Sequence, residues 1–305
     1  MQLTILGYNS AIPTATSHPT SQFLNICERH ILIDCGEGTQ VQLRKAKVKF
    51  SKINHIFISH LHGDHVFGLV GLISSFHLLG RDKPLYIYGP KGIKDFIEIQ
   101  LKISNAHNTY DLQFIELSSK TSELIFEDEK IEVHTIPLNH RIYCNGYLFK
   151  EKPKLKHLNI EEISKYPEIE LCDYQNLKLG KDFILNNEEV IKNERLTFPA
   201  DESLSYAFCS DTKYKEDIIP IIQNATVLYH EATFLHSEKE WATKTGHSTA
   251  LEAAIIAKKS KVKALILGHF SNKHKSYFPF LMEAQTEFQN TYLPNALEEL
   301  ELANL

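Results

Sequence analysis

Residues 60–65, His60-Leu61-His62-Gly63-Asp64-His65, bring four metal-ligating side chains into a span of six. At an extended strand end, residues i and i+2 point to one side, so His60 and His62 can converge on one ion. Gly63 allows a tight turn, after which Asp64 and His65 would open a helix and face back into the same pocket. Imidazole and carboxylate are typical zinc ligands, and four of them this close suit a pair of metals better than one. The alternative, a chance polar turn, is weak against so specific a pattern.

Three further candidates stand alone, each where a strand runs out. His140 follows HTIPLN, Asp211 closes SYAFCSD, and His269 follows ALILG. Functional groups in α/β sheets gather beyond the carboxyl ends of strands. Any one of these residues, taken singly, reads as a solvated or capping side chain. Beside HxHxDH they are the partners that two coordination shells need.

The elements that must position these residues alternate strand and helix. LTILG (3–7), FLNI (23–26), HILIDCG (30–36), INHIFISH (53–60), PLYIYG (84–89), LQFIEL (112–117) and KIEVHTIPL (130–138) read as strands. GTQVQLRKA (38–46), HVFGLVGLISSFHLL (65–79) and GIKDFIEIQLKIS (92–104) read as helices. The second half repeats the style, with strands at SYAFCSD (205–211), ATVLYHEA (225–232) and VKALILGHF (262–270). Helices are expected at YKEDIIPIIQ (214–223), with a local break at Pro220, at STALEAAIIAKKS (248–260) and at PFLMEAQTEFQN (279–290). This alternation predicts α/β layering, sheets inside and helices outside. Residues 150–200 fit less well: they are rich in Lys, Glu and Asn, with a basic start at KEKPKLKH (150–157), and read as an excursion from the core.

The chain of 305 residues, 43% hydrophobic and 23% charged, is long enough for a large α/β core. A net charge of −5 excludes nucleic-acid binding by bulk charge, so any such partner must be held by a local patch. The five cysteines, an odd number with no CxxC pair, argue against a disulfide framework and for a reducing cytosol. The start, MQLTILGYNS, lacks a signal peptide's basic region, and no apolar run is long enough to span a bilayer.

HxHxDH, then a lone His, then Asp, then His in a GHF segment resembles the ligand order of the metallo-β-lactamase superfamily. Within it, HEAT at 230–233 followed by GHST at 246–249 resembles the short form of the ribonuclease Z family. GHFSNKHK (268–275), with Lys273 where arginine is usual, YGPKGI (88–93) and SAIPT (10–14) add to the likeness. Two stretches depart from it: ATSHPTSQ (15–22) replaces a KxRN-like run, and the excursion lacks the usual glycine-proline tip.

The resemblance implies a four-layer αβ/βα sandwich, one domain over residues 1–305 with a tRNA-binding arm inserted at about 151–196. It implies two Zn2+ per subunit, with Mn2+ or Fe2+ as alternatives. His60, His62, His140 and Asp211 would hold the first ion; Asp64, His65, Asp211 and His269 the second. Asp211 would bridge the two, and Asp34, in IDCGEG, would orient a ligand histidine. The expected activity is removal of the 3′ trailer from precursor tRNA, leaving a 3′-hydroxyl on the tRNA and a 5′-phosphate on the trailer. Asp64 would orient or deprotonate the nucleophile, and His247, supported by Glu231, would protonate the leaving oxygen. Lys150, Lys152, Lys154 and Lys156 would offer phosphate contacts, and Lys273 would join the substrate-binding set. His230 reads as a structural strand-end histidine and Thr233 as a turn cap. The resemblance further implies a cytoplasmic homodimer with no membrane association. The same metal core also serves phosphodiesterases and other hydrolases of small substrates, which would lack HEAT and the later GHST. An inactive RNA-binding relative would be expected to have lost at least one ligand.

Overall fold

The computed structural model describes residues 1–106 and 109–305. The chain forms two compact units, Met1–Lys150 with Leu204–Leu305, and Glu151–Ser203.

The larger unit is built on two seven-stranded sheets. The first uses β1 (Gln2–Gly7), β2 (Ser21–Ile26), β3 (Arg29–Ile33), β4 (Ile53–Phe57), β5 (Leu85–Pro90) and β6 (Leu112–Leu117). The second uses β7 (Leu124–Glu127), β8 (Ile131–Pro137), β9 (Asn145–Glu151), β10 (Ser205–Cys209), β11 (Val227–Glu231), β12 (Ala264–Gly268) and β13 (Thr291–Tyr292). A last strand, β14 (Glu299–Glu301), returns to the first sheet, whose order is β14-β1-β2-β3-β4-β5-β6. The second runs β13-β12-β11-β10-β9-β8-β7.

Period-two alternation assigns the faces. Ile31 and Ile33 of β3 join Val227 and Tyr229 of β11 and Ile266 of β12 in one cluster, so the sheets pack face to face through it. The residues between them turn outward. Leu32 packs with Leu43 of α1 (Thr39–Lys45), Leu72 and Phe76 of α3 (Leu69–Leu78) and Ile97 of α4 (Ile93–Ile103). Here α2 is the short helix Gly63–Val66. Leu228, Leu265 and Leu267 pack with Ala253, Ala254 and Ala257 of α6 (Ala250–Ser260) and Phe280 of α7 (Phe278–Gln285); α5 is Lys239–Thr245. The result is the four-layer metallo-β-lactamase fold. β3 to β6 run parallel, as do β10 to β13, which is why both sheets are nearly all apolar through their centres.

Two helices differ from expectation. Residues 214–223 make only a single 3-10 turn, Glu216–Ile218, before irregular turns. Pro220 has no N–H to give residue 216, so the helix cannot propagate even though Ile218 and Ile222 are buried. The helical run expected over 65–79 is interrupted between Val66 and Leu69, where the chain pauses at Gly68. That break ties the helices to the loop after β3: Gly68 N donates to Cys35 O at 2.9 Å, and Cys35 N donates to His65 O at 2.8 Å.

The smaller unit has its own core of Ile163, Ile169, Leu177, Ile191 and Leu196, with Tyr166 and Tyr174 packed against it. These apolar residues are spaced singly among charges, so no run in the sequence announces them. Two two-stranded ribbons, 157–158 with 197–198 and 183–184 with 190–191, complete it.

The contact at Gly68 leaves no room for a side chain: a Cβ there would lie 2.2 Å from Gly36 O and 2.9 Å from Cys35 O. Gly68→Ala should therefore lower stability by ~1–3 kcal/mol. Urea unfolding checks this, and an unchanged midpoint would show that the loop yields freely.

Candidate metal centre

The carboxyl ends of β3, β4, β10, β11 and β12 deliver Asp34, His60, Asp211, Glu231 and His269 to one place. His62 is the extended residue that precedes α2, and α2 turns Asp64 and His65 back toward the strand ends. His140 arrives from the loop between β8 and β9.

The ligand-type atoms fall into two groups with Asp211 between them, and a third set, Asp211, His247 and His269, overlaps both. In the first, His60, His62, His140 and Asp211 each offer an atom within 4.8 Å of the others. His62 Nδ1 is 3.0 Å from His60 Nε2 and 3.2 Å from His140 Nε2. In the second, Asp64 Oδ2 lies 3.4 Å from His65 Nε2 and 3.5 Å from His269 Nε2. The two oxygens of Asp211 divide between the groups. Oδ2 is 3.6 Å from His60 Nε2 and 3.8 Å from His140 Nε2; Oδ1 is 3.4 Å from His65 Nε2 and 3.2 Å from His269 Nε2.

The remaining imidazole nitrogens fix the tautomers. His65 Nδ1 donates to Asp34 Oδ2 at 2.7 Å, and Asp34 also accepts from Ser59 N at 2.7 Å and Ser59 Oγ at 2.8 Å. The Ser59 hydroxyl has spent its proton there, so it accepts from His60 Nδ1 at 3.0 Å. His140 Nδ1 donates to Gly246 O at 2.8 Å, where Gly246, at φ 88°, ends α5 in a left-handed turn. The Thr233 hydroxyl donates to Glu231 Oε2 at 2.6 Å and so accepts from His269 Nδ1 at 2.9 Å. Four Nε2 lone pairs therefore face two carboxylates with no proton assigned between them.

That donor set fits divalent cations. His65 Nε2 and His269 Nε2 are buried with no hydrogen-bond partner, an expensive arrangement unless a cation completes it. Burial raises the carboxyls of Asp64 and Asp211, but positive charge on the surrounding imidazoles would hold both well below the ordinary value, the part that a bound cation would play beside neutral imidazoles.

Beside the two groups lies a buried acid–base pair. Glu231 accepts from Thr212 N at 2.8 Å, Thr233 N at 3.1 Å and His247 Nδ1 at 2.9 Å. Burial disfavours charge on both partners, yet the pairing prevails. Glu231 falls below its ordinary value and His247 is raised to about 9. With Nδ1 engaged, Nε2 is the nitrogen left to face a substrate. His247 borders a cleft of about 400 Å³ with Asp64, Asp211, His269, Arg141 and Phe234.

The basic candidates are placed less openly. Lys150 Nζ pairs with Glu132 at 2.8 Å, Lys154 with Glu151 at 2.8 Å, and Lys156 donates to Asn193 at 2.8 Å. Lys152 is held at its backbone, where its carbonyl accepts from Ser203 Oγ at 3.0 Å. Lys273 lies over the Phe234 and Trp241 rings, 5.8 and 5.1 Å from their centroids. His230 is buried, its Nδ1 on Glu231 O at 2.7 Å. Thr233, read as a turn cap, links Glu231 to His269. Sequence reasoning missed Ser59 and the Gly246 carbonyl as tautomer anchors, Arg141 in the cleft wall, and Ala11 N, which donates to Asp64 Oδ2 at 2.8 Å. Adjacency to His60 and His140 was the available signal for Ser59 and Arg141.

Because Asp211 faces both groups, Asp211→Ala should reduce bound metal at both, whereas Asp64→Ala should spare the first. Metal analysis of the purified variants checks this, and full occupancy in Asp211→Ala would refute the bridging role.

Comparison with known proteins completes the description. A family model described as Anti-Pycsar protein Apyc1 matches residues 1–152. The chain is 46% identical over 291 residues to Ribonuclease Z of Parabacteroides distasonis, covering 95% of each. It is 46% identical to Ribonuclease Z of Cytophaga hutchinsonii, covering 96% of this chain and 93% of the relative. Among solved structures, human tRNase Z, short form, superposes with a TM-score of 0.72 at 28% identity over 99% of both chains. Identity over nearly the full length, with the metal-type residues and the Glu231–His247 pair assembled in one place, leads to one assignment: the chain belongs to the ribonuclease Z family.

Proposed function

We propose that this chain is an endoribonuclease that cuts precursor tRNA on the 3′ side, releasing the trailer with a 5′-phosphate and leaving a 3′-hydroxyl on the tRNA. The observation that carries the reading is the Glu231–His247 pair at the rim of the cleft, beside two groups of ligand-type residues. A hydrolase of activated small esters has little use for a protonated imidazole there; expulsion of a ribose 3′-oxygen needs one.

We assign His60, His62, His140 and Asp211 to one ion and Asp64, His65, Asp211 and His269 to the other. Zinc is the metal we propose, since five imidazoles and two carboxylates match its ligand preference; Mn2+ and Fe2+ are the alternatives that metal analysis would distinguish. Ions bound there acidify water and offset charge gathering on the phosphoryl oxygens. Asp64, steadied by Ala11 N, orients the nucleophile or takes its proton. His247 gives its Nε2 proton to the departing 3′-oxygen, and Glu231 stabilises the charged imidazole until then. Asp34, through His65, acts only on orientation. Arg141 supplies positive charge at the cleft wall for the phosphodiester.

The partner we propose is precursor tRNA, bound by a homodimer in the cytoplasm, with residues 151–203 as the arm that holds the tRNA away from the cut. Among the described residues the five cysteines form no disulfide, which fits a reducing compartment. Among the described residues no helix is long and apolar enough to cross a membrane. With Lys150, Lys154 and Lys156 already engaged, the arm's grip would rely on exchange of these internal partners for phosphates.

His247→Ala should leave metal content intact and slow precursor-tRNA cleavage by about 100- to 10,000-fold. Hydrolysis of bis-p-nitrophenyl phosphate, whose leaving group needs little protonation, should fall far less; equal losses would remove His247 from the proton-donor role. Replacement of 151–203 by a short Gly/Ser linker tests the arm. Lys150 and Ser205 are register partners, so the cut ends are neighbours and β9 to β10 can close as a hairpin. Metal content and small-diester hydrolysis should persist while precursor-tRNA binding weakens and loses salt dependence. Unchanged binding would reduce the segment to a surface feature.

A further inference from the structure

Trp241, the sole tryptophan of the chain, is 45% exposed on α5, although a residue so large and apolar is usually mostly covered. Its neighbour Ala242 is the buried residue of the same helix, and the indole belongs to none of the apolar clusters of the core. Two ammonium groups accompany the ring: Lys273 Nζ at 5.1 Å from the centroid and Lys244 Nζ at 5.3 Å. Lys273 also reaches the Phe234 ring, which lines the cleft over Asp64, Asp211 and His269. One turn along α5 from Trp241, Thr245 lines the same cleft and donates to Trp241 O at 2.9 Å. The platform is braced: His274 Nε2 meets Glu238 Oε2 at 2.9 Å, tying the segment that carries Lys273 to the residue just before α5.

An exposed aromatic face flanked by cations is the arrangement that single-stranded nucleic acid recognises, because every base has a π-face and every linkage a negative charge. The cleft that must take the scissile phosphodiester lies one side chain away, so the adjoining nucleotide falls within reach. We propose that Trp241 stacks on an unpaired nucleobase flanking the scissile phosphodiester, with Lys273 and Lys244 moving from the ring to the phosphate of that nucleotide. This rests on the ribonuclease reading above and adds to it a base-binding subsite on α5. Because stacking tolerates any base, the subsite would set the geometry of the strand without selecting a sequence.

The test pairs kinetics with the fluorescence of the only indole. Trp241→Ala, with unfolding midpoint and metal content checked against wild type, should raise KM for precursor tRNA about 5- to 150-fold, the range expected for one base–aromatic stack, with kcat much less affected. Trp241→Phe should recover most of that loss. Titration of the wild-type enzyme with a short single-stranded RNA should quench Trp241 saturably. An unchanged KM in Trp241→Ala, or fluorescence that does not respond to the RNA, would overturn the subsite. A wild-type enzyme that cuts no precursor tRNA would instead overturn the reading beneath it, and the RNA titration would still decide whether Trp241 binds a base.

Discussion

His60, His65, His140 and His269 each commit the Nδ1 proton to an acceptor that has none to return: the Ser59 hydroxyl, Asp34, the Gly246 carbonyl and the Thr233 hydroxyl. The centre depends on this disposal of protons. Were one of these anchors lost, its imidazole could turn N–H inward, and the group would trade a lone pair for a repelling hydrogen. The anchors are in turn held by carboxylates, Asp34 beneath Ser59 and His65, Glu231 beneath Thr233 and His247. Two buried acids thus reach His60, His65, His269 and His247, leaving His140 to the Gly246 carbonyl, and Glu231 serves His247 directly and His269 through Thr233.

The fold delivers this network because parallel strands end on the same side. Asp34 and His269 leave their strands in the left-handed region, at φ 55° and 57°. Such conformations cost on the order of 1–3 kcal/mol each and persist where surrounding contacts fix them. Here the fixing contacts are the hydrogen bonds to His65 and Thr233, so the backbone strain and the tautomer control are one device.

Much of this was legible in the sequence. HxHxDH carried its own geometry, and His140, Asp211 and His269 could be found because each terminates an apolar strand. What remained hidden was long-range. Gly246 is 106 residues from the histidine it orients, and Thr233 lies 36 residues from His269. Nothing local marks a carbonyl or a hydroxyl as an anchor. The helix expected over 214–223 failed at Pro220, where a missing donor outweighed apolar spacing. The core of residues 151–203 stayed hidden because its apolar residues are scattered singly among charges.

The pairing of β14 with β1, Gln2 opposite Glu301, gives the first sheet a history. During synthesis β1 to β6 emerge early, yet β1 keeps an open edge until residues 299–301 arrive. The inner face of that sheet also waits for the second sheet to cover it. His60, His62, Asp64 and His65 are all made before His140, Asp211 or His269. A nascent chain therefore exposes half of the His/Asp cluster beside an unpaired strand and an uncovered apolar face, the combination most prone to wrong partners. Folding of the first half is provisional until residues 299–301 have been made.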